Sequence, residues 1–415
     1  MERWKRNLYV ICAAEFLTIL GFTAIYPFMA YFIQELGVTD LEEVAVWAGL
    51  VSSAPALTMA IFAPIWGVLA DRYGRKLMLE RAIFGAAVCL GLMGLTQNVH
   101  QLFAVRVVQG CLTGSVGAAT TLVATTTPRE KAGYGLGLIQ MAIFAGASFG
   151  PLVGGFIADS VGYRTVFWFT AVVQFLAGLC VVFFVSEDFR RDESPTQQAK
   201  GQIWAEMKEM LRSPQLLAVI VVSMVVRLAD GSVKPMLPIF IQILVPEEGR
   251  IASIAGSISA LSAVTGGVAA VVAGRQGDRV GYRKTLLFST ICACILLVPQ
   301  ALVQEVWQLF VLRALVGACV GATFPVVSAV IAVNVAGEKQ GAAHGLNNGA
   351  GAIGRSLGPI LGAAVATTFG FRAVFIAGAV LFGLLSVGVA FTVRDKSRDS
   401  RGMGACRNPP AGSSS

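Results

Sequence analysis

The sequence predicts an all-α membrane protein of twelve spanning helices, arranged as two six-helix bundles related by internal duplication. Three observations lead there. Of the 415 residues, 55% are hydrophobic and only 13% charged, whereas a soluble domain carries about 25% charged residues. The mean hydropathy is +0.71. Apolar stretches of the length that a bilayer demands recur along the whole chain. The second half then repeats landmarks of the first at a nearly constant offset. A soluble globule could not coat so apolar a core, which excludes an ordinary cytosolic enzyme and a disordered chain. The 46 glycines fit helices packed closely inside a membrane.

Taken in order, the predicted spans run 7–33, 44–70, 77–96, 99–125, 133–158 and 165–186, then 216–244, 251–275, 284–303, 306–335, 342–368 and 373–393. The first opens after basic residues and imitates a signal peptide, but its apolar run continues to Ile33 and more spans follow, so it reads as a retained helix. Between the sixth and seventh spans the pattern stops at Glu187, Asp188, Arg190, Arg191, Asp192, Glu193 and Pro195. An amphipathic piece follows, with Ile203, Trp204, Met207 and Leu211 on one side. The expected organisation is an N-terminal bundle over 1–186, a linker with a surface helix over 187–215, a C-terminal bundle over 216–395 and a disordered tail over 396–415.

The distribution of Lys and Arg sets the topology. One set of loops holds Arg3, Lys5, Arg6, Arg72, Arg75, Lys76, Arg129, Lys131, Arg279, Arg283, Lys284, Lys339, Arg394, Lys396 and Arg398. The opposite set holds Arg164, Arg250 and Arg372, and its first loop is acidic, with Glu35, Asp40, Glu42 and Glu43. Both termini and the linker are therefore expected on the cytoplasmic side of a cell membrane, a bacterial inner membrane by this reading. The net charge of +8 does not point to nucleic acid, because no basic patch with interleaved aromatics accompanies it. Seven of the eight cysteines lie in apolar runs, and Cys292 and Cys294 lack companion zinc ligands. His100 and His344 are isolated. No metal or cofactor is expected.

The halves repeat in detail. Gly67, Asp71, Arg72 and Gly74 recur as Gly274, Asp278, Arg279 and Gly281; Leu102, Phe103, Arg106, Gly110 and Gly114 recur as Leu309, Phe310, Arg313, Gly317 and Gly321. Gly150, Pro151 and Gly154 recur as Gly358, Pro359 and Gly362, and Gly162, Arg164 and Phe167 as Gly370, Arg372 and Phe375. Pro27, Phe32, Ile33 and Gln34 recur as Pro235, Phe240, Ile241 and Gln242. Two parallel six-helix halves mark transporters that rock one half against the other around a midplane site.

On these residues the chain resembles the major facilitator superfamily. The run Gly67-Val-Leu-Ala-Asp71-Arg72-Tyr-Gly74-Arg75-Lys76 is similar to its loop signature between helices 2 and 3, and Arg106-Val-Val-Gln109-Gly110 to its helix 4 motif. Gly146-Ala-Ser-Phe-Gly150-Pro151-Leu-Val-Gly154-Gly155-Phe-Ile157 resembles the antiporter motif of the twelve-helix drug:proton exporters, and Gly21…Pro27 fits the same group. The resemblance covers about residues 5–395. It implies a major facilitator fold and export, by alternating access, of small, mostly apolar molecules against protons. It also implies that the 67–76 loop, with Asp71 and Arg75 at its key positions, latches the outward-facing state. Asp278 holds the repeat's matching position. After Gly110 the sequence departs from the family pattern, with Leu112 where a small residue is usual.

Physically, Gly67 and Gly74 permit a tight turn, and Asp71 can meet the positive N-terminus of a neighbouring helix. Arg72, Arg75 and Lys76 can pair with acids or with anionic membrane lipid. Gly146, Gly150, Gly154 and Gly155 recur about every fourth residue on one face, which lets helix backbones approach, and Pro151 removes a backbone hydrogen bond. The expected product is a bendable interface between the halves.

Charges inside the spans cost about 2.5–3.5 kcal/mol each at a helix centre, so they normally face a cavity or a partner. They are Glu15, Arg106, Arg227, Asp230, Lys234, Arg313 and Arg355. Arg227, Asp230 and Lys234 share roughly a 60° arc of the seventh span. The repeat maps them to Ile19, Phe22 and Tyr26 of the first span, whose same face carries Glu15. At about 1.5 Å of rise per residue, Asp230, Arg355, Arg106 and Arg313 fall at one level, with Arg313 or Arg227 as partner for Asp230. Glu15 lies lower, with no partner in sight, and a desolvated carboxyl there suits a proton carrier. The proton-coupling set is thus Glu15, Asp230 and Arg106; the substrate set is Phe22, Tyr26, Met141, Phe144, Arg227, Phe240 and Arg355. A membrane enzyme would need a convergent nucleophile, base or metal set that does not appear. A receptor would usually carry a larger extramembrane domain. Within transporters the alternative is an importer or facilitator of sugars or organic acids. A monomer is expected, with a small molecule, the proton and membrane lipid as its partners.

Overall fold

The computed structural model describes residues 2–187, 212–245, 250–335 and 339–393. The expected linker helix with Trp204, the tail from 396 and the basic residues Arg394, Lys396 and Arg398 lie outside the described residues. The first half comprises α1 (Arg3–Ala24), α2 (Met29–Glu35), α3 (Leu41–Tyr73), α4 (Arg75–Gly94), α5 (Val99–Leu112), α6 (Ser115–Thr126), α7 (Ala132–Val161) and α8 (Tyr163–Phe184). The second comprises α9 (Pro214–Val233), α10 (Met236–Leu244), α11 (Ile251–Val280), α12 (Tyr282–Gln300), α13 (Val306–Asn334), α14 (Gln340–Phe369) and α15 (Phe371–Thr392). Paired as α1–α2, α5–α6 and α9–α10, these make the twelve predicted spans. Among the described residues, eleven segments are long and apolar enough to cross a membrane. The twelfth, α14, is diluted by glycines, Asn347 and Arg355, as suits a helix that faces protein and cavity rather than lipid.

Three spans are interrupted rather than continuous. The first breaks around Pro27 and the seventh at Lys234-Pro235, where proline cannot supply the helical N–H. The fourth breaks at Thr113-Gly114, with Gly114 at φ +120°. Its repeat, α13, passes Gly321 without interruption.

The duplication recurs in the contacts. The turns after α3, α7, α11 and α14 each use a glycine at positive φ, Gly74, Gly162, Gly281 and Gly370, where a side chain would be strained. Arg164 Nη1 donates to the carbonyls of Gly94 and Thr96 at 2.9 Å each, and Arg372 Nη1 to that of Ala301 at 2.7 Å. Each guanidinium thereby satisfies orphan carbonyls at the end of a neighbouring helix. Thr58 Oγ1 donates to Val107 O at 3.1 Å, and Thr265 Oγ1 to Ala314 O at 2.7 Å, tying matched helices in the two halves.

The halves meet at the end away from the termini and part at the other. At the closed end Tyr31 Oη donates to Pro238 O at 2.6 Å, and the amides of Gln34 and Gln242 exchange hydrogen bonds at 2.8 and 3.2 Å. Asp159, near the end of α7, accepts the backbone N–H of Ser253 at 2.6 Å and of Ala252 at 3.3 Å, the first turn of α11. A carboxylate at that terminus is favourably placed in the helix dipole. At the terminal end, Gly67, Gly133, Gly137, Gly341, Gly345 and Gly349 have no atom within 4 Å of where a Cβ would stand. Ile61, Ile65 and Val68 of α3 are exposed there.

Candidate functional site

A cavity of about 530 Å³ lies between the halves. Its walls include Phe22, Tyr26, Phe144, Arg227 and Arg355 from the predicted substrate set, and Arg106, Asp230 and Lys234 among the charges. The apolar share comes from Pro55, Met59, Pro151, Phe324 and Pro359. Phe22 and Tyr26 stand edge to face, with ring centroids 5.7 Å apart. The repeat argument therefore does place equivalent faces of the first and seventh spans on one space.

Two predicted substrate residues do not belong to these walls. Phe240 is only 1% exposed and packs against Phe375, centroids 5.0 Å apart, because α10 turns inward beyond Pro235 to build the closed end. Met141 stands one turn from Phe144 toward the open end, exposed but outside the cavity walls.

The expected pairing of Asp230 is met in part: Arg313 and Arg227 stand close enough to act on its charge, while its direct ion pair is with another residue. Asp230 accepts Lys234 Nζ at 2.5 Å, an i, i+4 pair on the end of α9 that needs no second helix. Arg313 is buried in its own half and absent from the walls. Arg106 Nη1 donates to Gln109 Oε1 at 3.0 Å. Arg227 stacks over the ring of Phe324 at 4.6 Å, an arrangement that holds a guanidinium without neutralising it. Arg355 makes no hydrogen bond or ion pair among the described residues and is exposed to the cavity. Among the described lining residues, three guanidiniums and Lys234 thus face an apolar-walled space with Asp230 as its one carboxylate, which leaves a net positive charge.

Glu15 departs from expectation most. It is fully buried inside the first bundle, outside the cavity walls, and it has a partner: Ser115 Oγ donates to its Oε1 at 3.0 Å. Its Oε2 has no hydrogen-bond partner. Sharing a helical face with Phe22 and Tyr26 did not suffice, because lower on α1 that face is covered by α6 across the break in the fourth span.

The loop motif is disengaged here. Asp71 and Arg72 are exposed, Gly67 touches nothing, and Asp278 accepts the hydroxyl of Tyr282 in its own half at 2.7 Å. The backbone N–H groups of Arg75 and Lys76 donate to Glu187 at 3.1 and 2.8 Å, which caps α4 within the half. Lys76 Nζ reaches Val182 O at 2.9 Å and Glu80 at 3.5 Å. Each of these contacts lies within a single half.

The antiporter motif divides its work. A Cβ on Gly146, Gly150 or Gly154 would strike Phe16 O, Thr23 Oγ1 or Ala24 O of α1, so these three serve packing inside the first half rather than the expected interface. Gly155, against Ala252, and Pro151, whose carbonyl abuts Gly256, do join the halves. In the repeat, Gly354, Gly358 and Gly362 abut Met224, Leu228 and Ser232 of α9, and Gly49 of α3 approaches Pro359 O.

Several residues escaped the sequence reading. The Thr113-Gly114-Ser115 run is a stop-and-restart signal hidden in an apolar stretch. Asp159 sits among residues of no special pattern. Arg81 of α4, 3.5 Å over the ring of Trp66, is a further charge within a span. Among the described residues no three His, Cys, Asp or Glu side chains converge as a metal set.

The family model described as Major Facilitator Superfamily matches residues 11–245 and 219–405. The chain is 38% identical to the multidrug resistance protein MdtG of Enterobacter lignolyticus over 93% of its own length and 92% of that protein. It is likewise 38% identical to MdtG of Salmonella typhimurium, over 92% and 94%. Among solved structures it is similar to a bacterial homologue of the human lysosomal transporter Spinster, inward-facing and unoccupied, with TM-score 0.78, 14% identity and coverage of 99% and 100%. The nucleoside transporter NupG, solved as a point mutant, gives TM-score 0.79 at 12% identity, covering 94% and 100%. A duplicated twelve-span fold closed around a central cavity, the loop and antiporter motifs, and relatives along nearly the whole length agree: this chain is a transporter rather than an enzyme, and belongs to the major facilitator superfamily, in its multidrug efflux family.

Proposed function

We propose that the protein exports small, mostly apolar molecules across the bacterial inner membrane by alternating access, each cycle driven by proton entry. The Lys/Arg bias assigns both termini to the cytoplasm, so the parted end faces inward and the structure stands for the loading state. Substrate enters the cavity from the cytoplasm or the inner leaflet and packs against Phe22, Tyr26, Phe144 and Phe324. The net positive charge left by Arg106, Arg227, Lys234 and Arg355 against Asp230 favours neutral, zwitterionic or anionic molecules over lipophilic cations. Asp230, held by Lys234, and Arg106 set the local field, and Glu15 carries the proton.

The observation that supports proton coupling is the Glu15 carboxyl, sealed from water with one oxygen unpartnered, bonded to a serine only two residues of chain from the cavity wall. A buried acid of this kind in a membrane helix is expensive to keep without a use. The test is proton release from detergent-solubilised protein on adding sulforhodamine, an anionic dye. Wild type should release protons as the dye binds. Glu15→Gln, with binding retained, should release none; unchanged release in the variant would remove Glu15 from the mechanism.

A further inference from the structure

The proton carrier of this reading has no direct opening to the cavity, yet it must exchange its proton with water. Among the described residues, the polar side chains that interact with Glu15 are Ser115 on α6 and, one turn away on α1, Cys12. Glu15 itself is 0% exposed. The chain runs from cavity to carboxyl in three consecutive residues. Thr113 is in the cavity wall. Gly114, in a conformation closed to most side chains, has no atom within 4 Å of where a Cβ would stand. Ser115 begins α6 and donates its hydroxyl to Glu15. The first and third of these are separated by about 7 Å of chain at most. Gly114 supplies no side-chain cap to the start of α6, whose first N–H groups have no partner within the helix. The matching place in the other half offers nothing similar: α13 is continuous, and Gly321 is pressed against the Gly266 backbone.

We infer that the Thr113-Gly114 interruption of the fourth span is the proton port that connects Glu15 to the substrate cavity, with Ser115 as its relay. The inference rests on Glu15 as the proton carrier. In the outgoing step the Glu15 O–H bond breaks as Ser115 Oγ accepts that proton, and the Ser115 hydroxyl passes its own proton to water standing in the gap at Gly114. The carboxylate left behind then accepts the re-formed Ser115 O–H, which is the hydrogen bond seen in the structure. The two species share the cavity side of the port: a substrate seated against Thr113 covers its mouth. Ser115 handles the proton alone and does not touch the exported molecule.

Hydrogen–deuterium exchange of the Glu15 carboxyl, followed by infrared spectroscopy on the full-length protein in lipid, tests the port without any substrate. The Glu15 C=O band is identified by its disappearance in Glu15→Gln. Transfer to heavy water should shift the band promptly in wild type, and about tenfold more slowly in Ser115→Ala and in Thr113→Val. Ser115→Thr, which keeps a hydroxyl, should restore the wild-type rate, something a purely structural role for Ser115 does not require. Thr113→Val removes the hydroxyl that holds the receiving water at the cavity mouth of the port; it conserves shape and keeps the test alive if Ser115→Ala folds poorly. An unchanged rate in either slow variant, or no rescue by Ser115→Thr, overturns the port. A missing Glu15 band at every pH would instead defeat Glu15 as the proton carrier, and the port with it. Normal exchange kinetics beside unimpaired proton release in Glu15→Gln would fault the coupling assignment alone.

Discussion

Replacing Arg355 with Gln should invert part of the cavity's charge preference. Arg355 is exposed within the cavity and lacks a hydrogen-bonding or ionic partner among the described residues, so its charge acts on whatever the cavity holds. Arg106 and Arg227 keep theirs beside Gln109 and Phe324. A ligand charge at about 6 Å interacts with one guanidinium by roughly 3 kcal/mol at an effective dielectric near 20. Water in the cavity reduces this to about 1–1.5 kcal/mol. Losing it weakens an anion about tenfold and strengthens a matched cation about tenfold. The ratio of the two affinities should therefore move by about a hundredfold, while a neutral ligand barely responds. Competition binding with a rhodamine pair of equal size, one net anionic and one net cationic, reads that ratio on purified protein. A wild type that prefers the cation, or a ratio unmoved by Arg355→Gln, would show that these arginines do not set the preference.

Asp71→Asn should shift the resting equilibrium further toward the inward-open form and slow export more than it weakens binding. Distances between spin labels on the cytoplasmic loops of the two halves check this, and identical distributions would leave the loop a topological signal alone. Asp159→Asn should act in the opposite sense, because it removes a charge worth about 0.3–1 kcal/mol from the start of α11; labels at the outer ends of the fifth and eighth spans should then report a larger open fraction. Gly154→Ala sets a methyl against Ala24 O and should cost about 1–3 kcal/mol by overpacking, seen as a lower thermal midpoint. Gly137→Ala, in open space on the same helix, should not lower it, since alanine suits a helix interior better than glycine.

The twelve spans and the duplication were legible because both are written in features that survive folding: apolar length, and residues whose type a backbone geometry demands. Gly74 and Gly281, or Arg164 and Arg372, recur since each half needs the same turn and the same carbonyl clamp. The cavity walls were legible in part. Phe22, Tyr26 and Arg227 followed from helical periodicity on two matched helices. Periodicity assumes a straight helix, however, and the errors gather where helices break. Phe240 lies beyond Pro235, and Glu15 is covered by a helix that begins only after Gly114. Pairing was harder still. Asp230 takes its direct ion pair from Lys234 on its own helix, while Arg313, which depth favoured, acts on it without a direct bond. The antiporter motif's spacing announced close packing without saying which neighbour it faced; Gly154 and Gly155, adjacent in sequence, press on helices from different halves.

The central claim, proton-driven export through this cavity, is tested most directly in proteoliposomes that contain the purified protein in mixed orientation. Anionic sulforhodamine is placed at equal concentration on both sides, and a pH gradient is imposed. Molecules whose cytoplasmic face meets the alkaline side should drive the dye uphill into the acidic compartment, and collapse of the gradient by a protonophore should end the accumulation. Glu15→Gln vesicles should show none. Dye that merely equilibrates in wild type, or that accumulates equally in Glu15→Gln, would contradict the account.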